Sequence, residues 1–350
     1  MNQRNLAGLL AAPLLVGLWV VALTQPLPFV TYQPGLTLDV LGESGGKEII
    51  QIEGHETFHD GGELRMTTVS ASQPKPASVN LFELMEAWIS PDDAVYPYDV
   101  VYSRQDTRES NKEEGQEEMV SSQHLAAAAA LSELGYHVTE ATVAEVLPDT
   151  PADGKLEKDD VILKVNGTSV SNELEVADEI GATPAGEDVE LVVRRDDERR
   201  TVTITPETSD GVPYVGIAPS TTVLQLPFDV TVQVADIGGP SAGLLFSLGI
   251  YDTLTPGSLT GGATVAGTGE IDGAGRVGPI GGIQQKIAGA RDAGADLFLV
   301  PPENCDDALG ARNGDVKLVR ADTMHDAVSA LETWVDDPDA ALPSCEEVAG

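Results

Sequence analysis

The chain has 350 residues, room for about two domains of ~150 residues each, and its 41% hydrophobic and 22% charged residues are the balance of a folded globular protein. Asp and Glu number 57 against 20 Lys and Arg, a net charge of −37 that is spread along the chain and not gathered in one tail. With no basic patch to neutralise phosphates, nucleic acid is excluded as a partner.

Residues Leu6–Leu23 contain no charge and follow Arg4, and no basic residue comes again before Lys47. At ~1.5 Å per residue such a run approaches the ~30 Å of bilayer hydrocarbon, and Trp19 suits an interface. Val20-Val21-Ala22 resembles a signal-peptide cleavage site, but the run exceeds the usual ~7–15 residues of such a core, which favours an uncleaved anchor over 6–23. The expectation is a single-pass cell-membrane protein, its N-terminus cytoplasmic and its body extracytoplasmic. Two cysteines, Cys305 and Cys345, suit that oxidising side; they either bridge or stay as two thiols, since sequence does not show that their Cβ atoms meet.

Next come two segments with period-two alternation, Glu48–Ile52 and Leu64–Val69, joined across Gly61-Gly62, which predicts a β-hairpin. Leu81, Leu84, Met85, Trp88 and Ile89 repeat at helical spacing, with Ser78 or Asn80 as N-cap and Pro91 as stop. A densely charged stretch, Arg104–Glu118, reads as an exposed connection or helix start, and an alanine-rich helix follows over Met119–Leu134, ended by Gly135. A β-rich unit then runs through Ala141–Val146, a Pro148-Asp149-Thr150-Pro151-Ala152 turn, Val161-Ile162, Val165-Asn166-Gly167, a helix over Leu174–Ile180, and strands Val189–Arg194 and Arg200–Ile204. From Val223 the pattern is mixed α/β: strands at Val230–Val234, Thr264–Ile271 and Leu297–Val300, and helices at Ser241–Leu254, Ile283–Ala293 and Asp322–Leu331.

Chemistry concentrates in this last part. Gly238-Gly239-Pro240-Ser241-Ala242-Gly243 opens a helix, so the Ser241 hydroxyl stands where backbone amides point outward. Such amides, around Gly239, Pro240 and Ala242, could serve a developing oxyanion. Lys286 lies on an otherwise apolar and small helix face in Gly278–Ala290. Burial disfavours the ammonium form, and a neutral amine can act as a general base toward a serine.

The order of strands, turns and helix over 121–208 resembles a PDZ domain, with Asp159 where that family usually has glycine. A PDZ groove takes an extended chain as an added strand and captures its terminal carboxylate with backbone amides; the candidate loop is Gly135-Tyr136-His137-Val138. The set Gly238–Gly243, Thr268-Gly269-Glu270-Ile271, Lys286 and Val300-Pro301-Pro302-Glu303-Asn304 resembles the Lon protease family, in particular its PDZ-containing, membrane-anchored serine–lysine members. That resemblance implies an α+β fold: a transmembrane anchor at 6–23, a first portion of a Lon-like domain at 31–120, an inserted PDZ domain at 121–208, the dyad-bearing portion at 209–335 and an acidic tail at 336–350. It implies Ser241 as nucleophile, Lys286 as base and Thr268 as the residue supporting the lysine. It also implies no cofactor, unfolded or flexible protein substrates, and a homo-oligomeric, often hexameric, ring. The family's ATPase module has no counterpart, because Gly42–Glu48 lacks P-loop spacing, and the acidic residue common before Gly-Pro-Ser is replaced, the nearest acid being Asp236.

Two readings from other classes stand beside this one. A non-catalytic PDZ adaptor would keep the fold without turnover. His55-Glu56-Thr57-Phe58-His59 spells a zinc-peptidase signature, but Gly54 and Gly61-Gly62 leave little room for the helix it needs, so no metal is expected. Gly273–Gly278 spells a dinucleotide motif but does not open directly into a helix. His124, His137 and His325 are lone histidines without a triad arrangement.

Overall fold

The computed structural model describes residues 3–74, 79–103, 105–184, 186–209, 212–234 and 237–347, with side chains from residue 11 onward except that of Ser209. Ser78, Arg104, Asp236 and the side chains of the first part of the 6–23 run lie outside the described residues. The helices are α1 (Gln3–Thr24), α2 (Leu81–Ile89), α3 (Tyr98–Val101), α4 (Arg108–Glu133), α5 (Glu173–Gly181), α6 (Gly243–Leu254), α7 (Ile283–Asp292), α8 (Cys305–Leu309) and α9 (Met324–Asp336). Among the described residues, no helix is long and apolar enough to cross a membrane.

A six-stranded sheet organises the main body, in the order Lys317–Arg320, Leu297–Val300, Thr264–Gly267, Glu63–Ala71, Phe29–Asp39, Ala94–Pro97. The first four run parallel and the last two are antiparallel to their neighbours. Leu297-Phe298-Leu299-Val300 is wholly apolar because helices cover both faces of this part of the sheet. Val265, Leu297 and Leu299 join the core beneath α4, α6 and α9, while Ala266, Phe298 and Val300 face a second core with Ile283 and Ile287 of α7.

The hairpin expected over residues 48–69 does not form. Ile50–Glu53 pairs with Asp229–Val232, whereas Glu63–Ala71 lies mid-sheet between Phe29–Asp39 and Thr264–Gly267. The link between them is irregular over 54–62 and too long for a tight hairpin turn. The strand Phe29–Asp39 escapes the alternation rule because its register shifts between Pro34 and Thr37. At that bulge a Cβ on Gly35 would sit 2.7 Å from the Thr68 carbonyl oxygen, so the close approach needs glycine.

The charged stretch before residue 119 is helical. Thr107 and Ser110 cap α4 reciprocally, and α4 then buries Ala126–Leu131 in the main core. The segment 121–134 therefore belongs to the main body, not to the inserted unit. A second sheet follows, antiparallel throughout, in the order Glu198–Ile204, Val189–Arg195, Val161–Val165, Thr139–Val146, Ile217–Val223. It extends beyond residue 208, since its last edge strand arrives after the expected boundary. Asp159 adopts φ 70°, the region in which glycine is at ease, and next to it buried Asp160 receives both Nε and Nη2 of Arg195 at 2.6 Å. Strands 29–97 and 264–320 flank this second sheet in sequence yet share the first, so the second unit is an insertion.

The expected acidic tail is packed against the body. Arg320 donates from its backbone to the Pro343 carbonyl at 3.0 Å, and Lys317 Nζ reaches the Pro338 and Ala340 carbonyls at 3.3 and 3.4 Å. Cys305 and Cys345 are joined by a disulfide with an S–S distance of 2.09 Å.

Candidate active site

Ser241 precedes α6 in the loop Gly238–Ala242, where Gly239 takes φ 94°. Lys286 projects from α7 and is only 3% exposed. Its Nζ lies 2.7 Å from Ser241 Oγ, 2.9 Å from Thr268 Oγ1 and 3.1 Å from the Thr67 carbonyl oxygen. Thr268 Oγ1 in turn donates to the Ser241 carbonyl at 2.9 Å, and the Gly269 N–H bonds to the same oxygen at 2.9 Å.

These partners define the direction of the proton. The Thr67 carbonyl can only accept, and the Thr268 hydroxyl proton is committed to the Ser241 carbonyl. A neutral Lys286 places its two N–H bonds on these acceptors, which leaves its lone pair facing the Ser241 hydroxyl. Burial pushes the lysine down to about 7, so the neutral form is accessible near physiological pH.

Of the residues expected to line the oxyanion position, Pro240 has no N–H, and the Gly239 N–H donates to the Gly115 carbonyl of α4 at 2.7 Å. Those two are withdrawn as donors. The N–H groups of Ala242 and of Ser241 have no partner among the described residues and remain open to an acceptor. Ser122 Oγ donates to the Pro240 carbonyl at 2.9 Å, so α4 braces the loop at two points. A Cβ on Gly243 would lie 2.9 Å from the Ile271 backbone nitrogen and 2.8 Å from its Cγ2. Gly243→Ala should therefore displace the start of α6 and with it Ser241. The expected result is about 1–3 kcal/mol lost in thermal unfolding together with most of the activity.

A cleft of about 480 Å³ opens in front of the pair, lined by Tyr32, Leu36, Met66, Val69, Met119 and Ile237. One wall is the strand Glu63–Ala71 and another is α4. Thr67, Ser122 and Gly115 were not singled out from sequence; two of them act through backbone carbonyls, which leave no residue-type signature.

In the inserted unit, Gly135–Val138 leads into Thr139–Val146, whose two edges are both taken, by Val161–Val165 and by Ile217–Val223. No chain can be added there, and Tyr136 is engaged with His55 at 3.0 Å. Of the two outer strands of this sheet, Glu198–Ile204 and Ile217–Val223, the second lies alongside α5 and offers a free edge there. The turn entering it is Tyr214-Val215-Gly216, with Gly216 at φ 87°. The Val215 and Gly216 carbonyls accept from Ala152 and Leu147, while their N–H groups have no partner among the described residues. The sequence signal of this turn is Pro213–Ile217, a glycine-bearing loop that follows the unit's other strands in chain order. The far end of this edge meets the main body: Arg276 pairs with Glu173 at 2.8 Å, and a Cβ on Gly273 would lie 3.2 Å from Thr221 and Val223.

His55 and His59 lie on irregular chain, not on one helical face. His55 Nε2 meets Tyr136, while His59 Nε2 lies 3.6 Å from Glu48, so the two rings do not converge. Among the described residues no group of three or more His, Cys, Asp or Glu is placed to hold a metal. His325 pairs with Glu133 at 2.8 Å, which raises its pKa, in contact with none of the Ser241 partners.

Residues 232–329 match the family of the Lon protease (S16) C-terminal proteolytic domain, and residues 105–205 match the PDZ domain. Over 94 residues the chain is 36% identical to Lon protease of Campylobacter concisus, covering 26% of this chain and 11% of that protein. Lon protease 2 of Herpetosiphon aurantiacus is 41% identical over 83 residues, 23% of this chain and 10% of its own length. Lon protease 2 of Bacillus subtilis is 34% identical over 95 residues, 27% and 17% respectively. The matched stretch thus spans between 10% and 17% of these curated relatives. The PDZ domain of the SdrC-like protein from Listeria innocua is 26% identical, covering 23% of this chain and 92% of that one, with a TM-score of 0.22. The chain therefore carries a proteolytic domain of the Lon type. With the PDZ domain it fits a PDZ-containing Lon-like protease.

Proposed function

We propose that the chain is a membrane-anchored, ATP-independent endopeptidase acting on unfolded or flexible chains outside the cytoplasm, with Ser241 and Lys286 as its catalytic dyad. The observation that carries this is the 2.7 Å contact between Ser241 Oγ and a buried lysine whose other contacts are acceptors. Lys286 takes the Ser241 proton as Oγ attacks the peptide carbonyl, and the Ser241 and Ala242 amides receive the oxyanion. The lysine then passes that proton to the leaving amine, the C–N bond breaks, and an acyl-enzyme remains. Water repeats the sequence, giving its proton to Lys286 as it attacks; Ser241 regains a proton as the acid product leaves.

The anchor reading is supported by the charge-free run 6–23, which α1 spans. Independence from ATP is supported by Gly42–Glu48, whose Glu43–Ser44 and Lys47–Glu48 pair as a small β-ribbon and do not form a phosphate loop before a helix. The free edge Ile217–Val223, with its amide-bearing turn, supports capture of substrate C-termini by strand addition. A homo-oligomeric ring rests on the resemblance to Lon proteases.

Turnover of a fluorogenic unfolded protein by the full chain, in detergent and without nucleotide, tests this. Ser241→Ala and Lys286→Ala should each abolish it, and a zinc chelator should leave it unchanged. Activity that survives Ser241→Ala, or that disappears with the chelator, would overturn the assignment. Thr268→Val should lower kcat by about 10²-fold with little change in KM, because it removes the hydroxyl that positions Lys286 and not a substrate contact.

A further inference from the structure

We infer that α2 is an interfacial helix that lies in the headgroup layer of the bilayer and holds the catalytic body down on the membrane. This rests on the membrane-anchor reading and adds a second contact with lipid to it. The face α2 turns outward is apolar: Leu81, Phe82 and Met85 are exposed, Trp88 is 81% exposed and Ile89 is 73% exposed. At about 100° per residue these five side chains fall within an arc of about 120°. Ala87 is buried on the opposite side against the body, while Glu83 is turned back to cap the helix through the Asn80 N–H. A soluble surface carrying a net charge of −37 has little reason to display such a face to water.

The occupant is identified by what α2 adjoins. The Leu27 N–H, just beyond α1, bonds to the Val79 carbonyl just ahead of α2, so α2 begins where α1 ends. Trp19 of α1 stacks on Phe82 with ring centroids 4.9 Å apart. The outward apolar face of α2 is thus continuous with the apolar surface of α1. Tryptophan and leucine on one face with carboxylates off it is the make-up of a helix lying in the interface. From there the contact reaches the site: Asp92, just after α2, pairs with Arg291 of α7 at 3.0 Å, and its carbonyl accepts from Gln285, the neighbour of Lys286. The helix carrying Lys286 is therefore fastened to the lipid-facing one, which directs the cleft to chain segments close to the bilayer surface.

The test is tryptophan quenching by lipids brominated near the headgroup, with the full chain reconstituted into vesicles of mixed zwitterionic and anionic lipid. Trp19→Phe should keep part of the quenching, and Trp19→Phe with Trp88→Phe should lose it, leaving Trp334 unquenched. Quenching in the wild type that disappears entirely in Trp19→Phe would overturn the role of α2 while leaving the anchor in place. No quenching even in the wild type would overturn the anchor reading and α2 with it. Trp88 shielded from aqueous iodide yet unquenched by bromolipid would mean that a second copy of the chain covers this face, which also overturns the inference. Trp88 is so exposed that its replacement by phenylalanine leaves the fold undisturbed.

Discussion

Replacing Lys286 with methionine is expected to abolish turnover and, at pH 6, to make the protein more stable. In the folded state burial holds this lysine at about 7 against an ordinary value of 10.5. Below pH 7 both states are protonated and the folded one bears the full penalty of a buried ammonium. Between pH 7 and 10.5 the unfolded chain keeps a proton that the folded one has released, so stability rises with pH; above 10.5 the penalty is gone. A difference of this size corresponds to at most about 5 kcal/mol, partly offset because methionine leaves the Thr67 carbonyl and two hydroxyls without their donor. Denaturant unfolding at pH 6 and pH 10 should therefore show the variant ahead at the lower pH and level or behind at the higher. In the wild type, kcat/KM should climb as pH rises toward 7 and level off beyond it. A pH-independent stability difference would mean that Lys286 is charged throughout.

The second large effect is expected at the other end of the chain. Removing the Cys305–Cys345 disulfide by double substitution to serine should lower stability by about 4 kcal/mol, since it closes a loop of 40 residues. The bond pins the segment that runs along Lys317–Arg320, the outermost strand of the main sheet. Its loss should also bare that edge and promote association between molecules. Thermal unfolding with and without reductant, followed by light scattering, measures both. An unchanged midpoint under reduction would show that Lys317 and Arg320 hold the segment unaided.

Where residues meet through their own side chains, their place in the cluster was legible from residue type and neighbours. Ser241, Thr268 and Lys286 stand apart in sequence but carry distinctive neighbours: a Gly-Pro before a helix, a Thr-Gly after a strand, a lone charge on a small-residue helix face. The three meet within hydrogen-bonding distance. Where the backbone acts, nothing in the residue type announced it. The Thr67 carbonyl that fixes the lysine and the Gly115 carbonyl that occupies the Gly239 amide are invisible to such reading. Strands were mostly located but their partners were not. Glu63–Ala71 alternates as expected, yet its neighbours come from residues 29–39 and 264–267, and alternation carries no information about which distant strand completes the ladder. The edge strand Ile217–Val223 shows the same limit. It pairs with a strand from far back in the chain, Val223 with Thr139 and Ile217 with Val146, beyond the reach of any local pattern.

The Arg276–Glu173 bridge and the packing of Gly273 on Thr221 and Val223 bear on product length. A chain end held at Tyr214–Gly216 would run antiparallel to Ile217–Val223 and emerge at its far end, where the inserted unit is clamped to the hairpin 270–278 that follows Thr268. With that mount rigid, the span from the captured terminus to Ser241 is a constant of the molecule. Under the proposed capture of substrate C-termini, such a mount would act as a ruler, the size of the C-terminal fragment following from the distance between the captured end and Ser241.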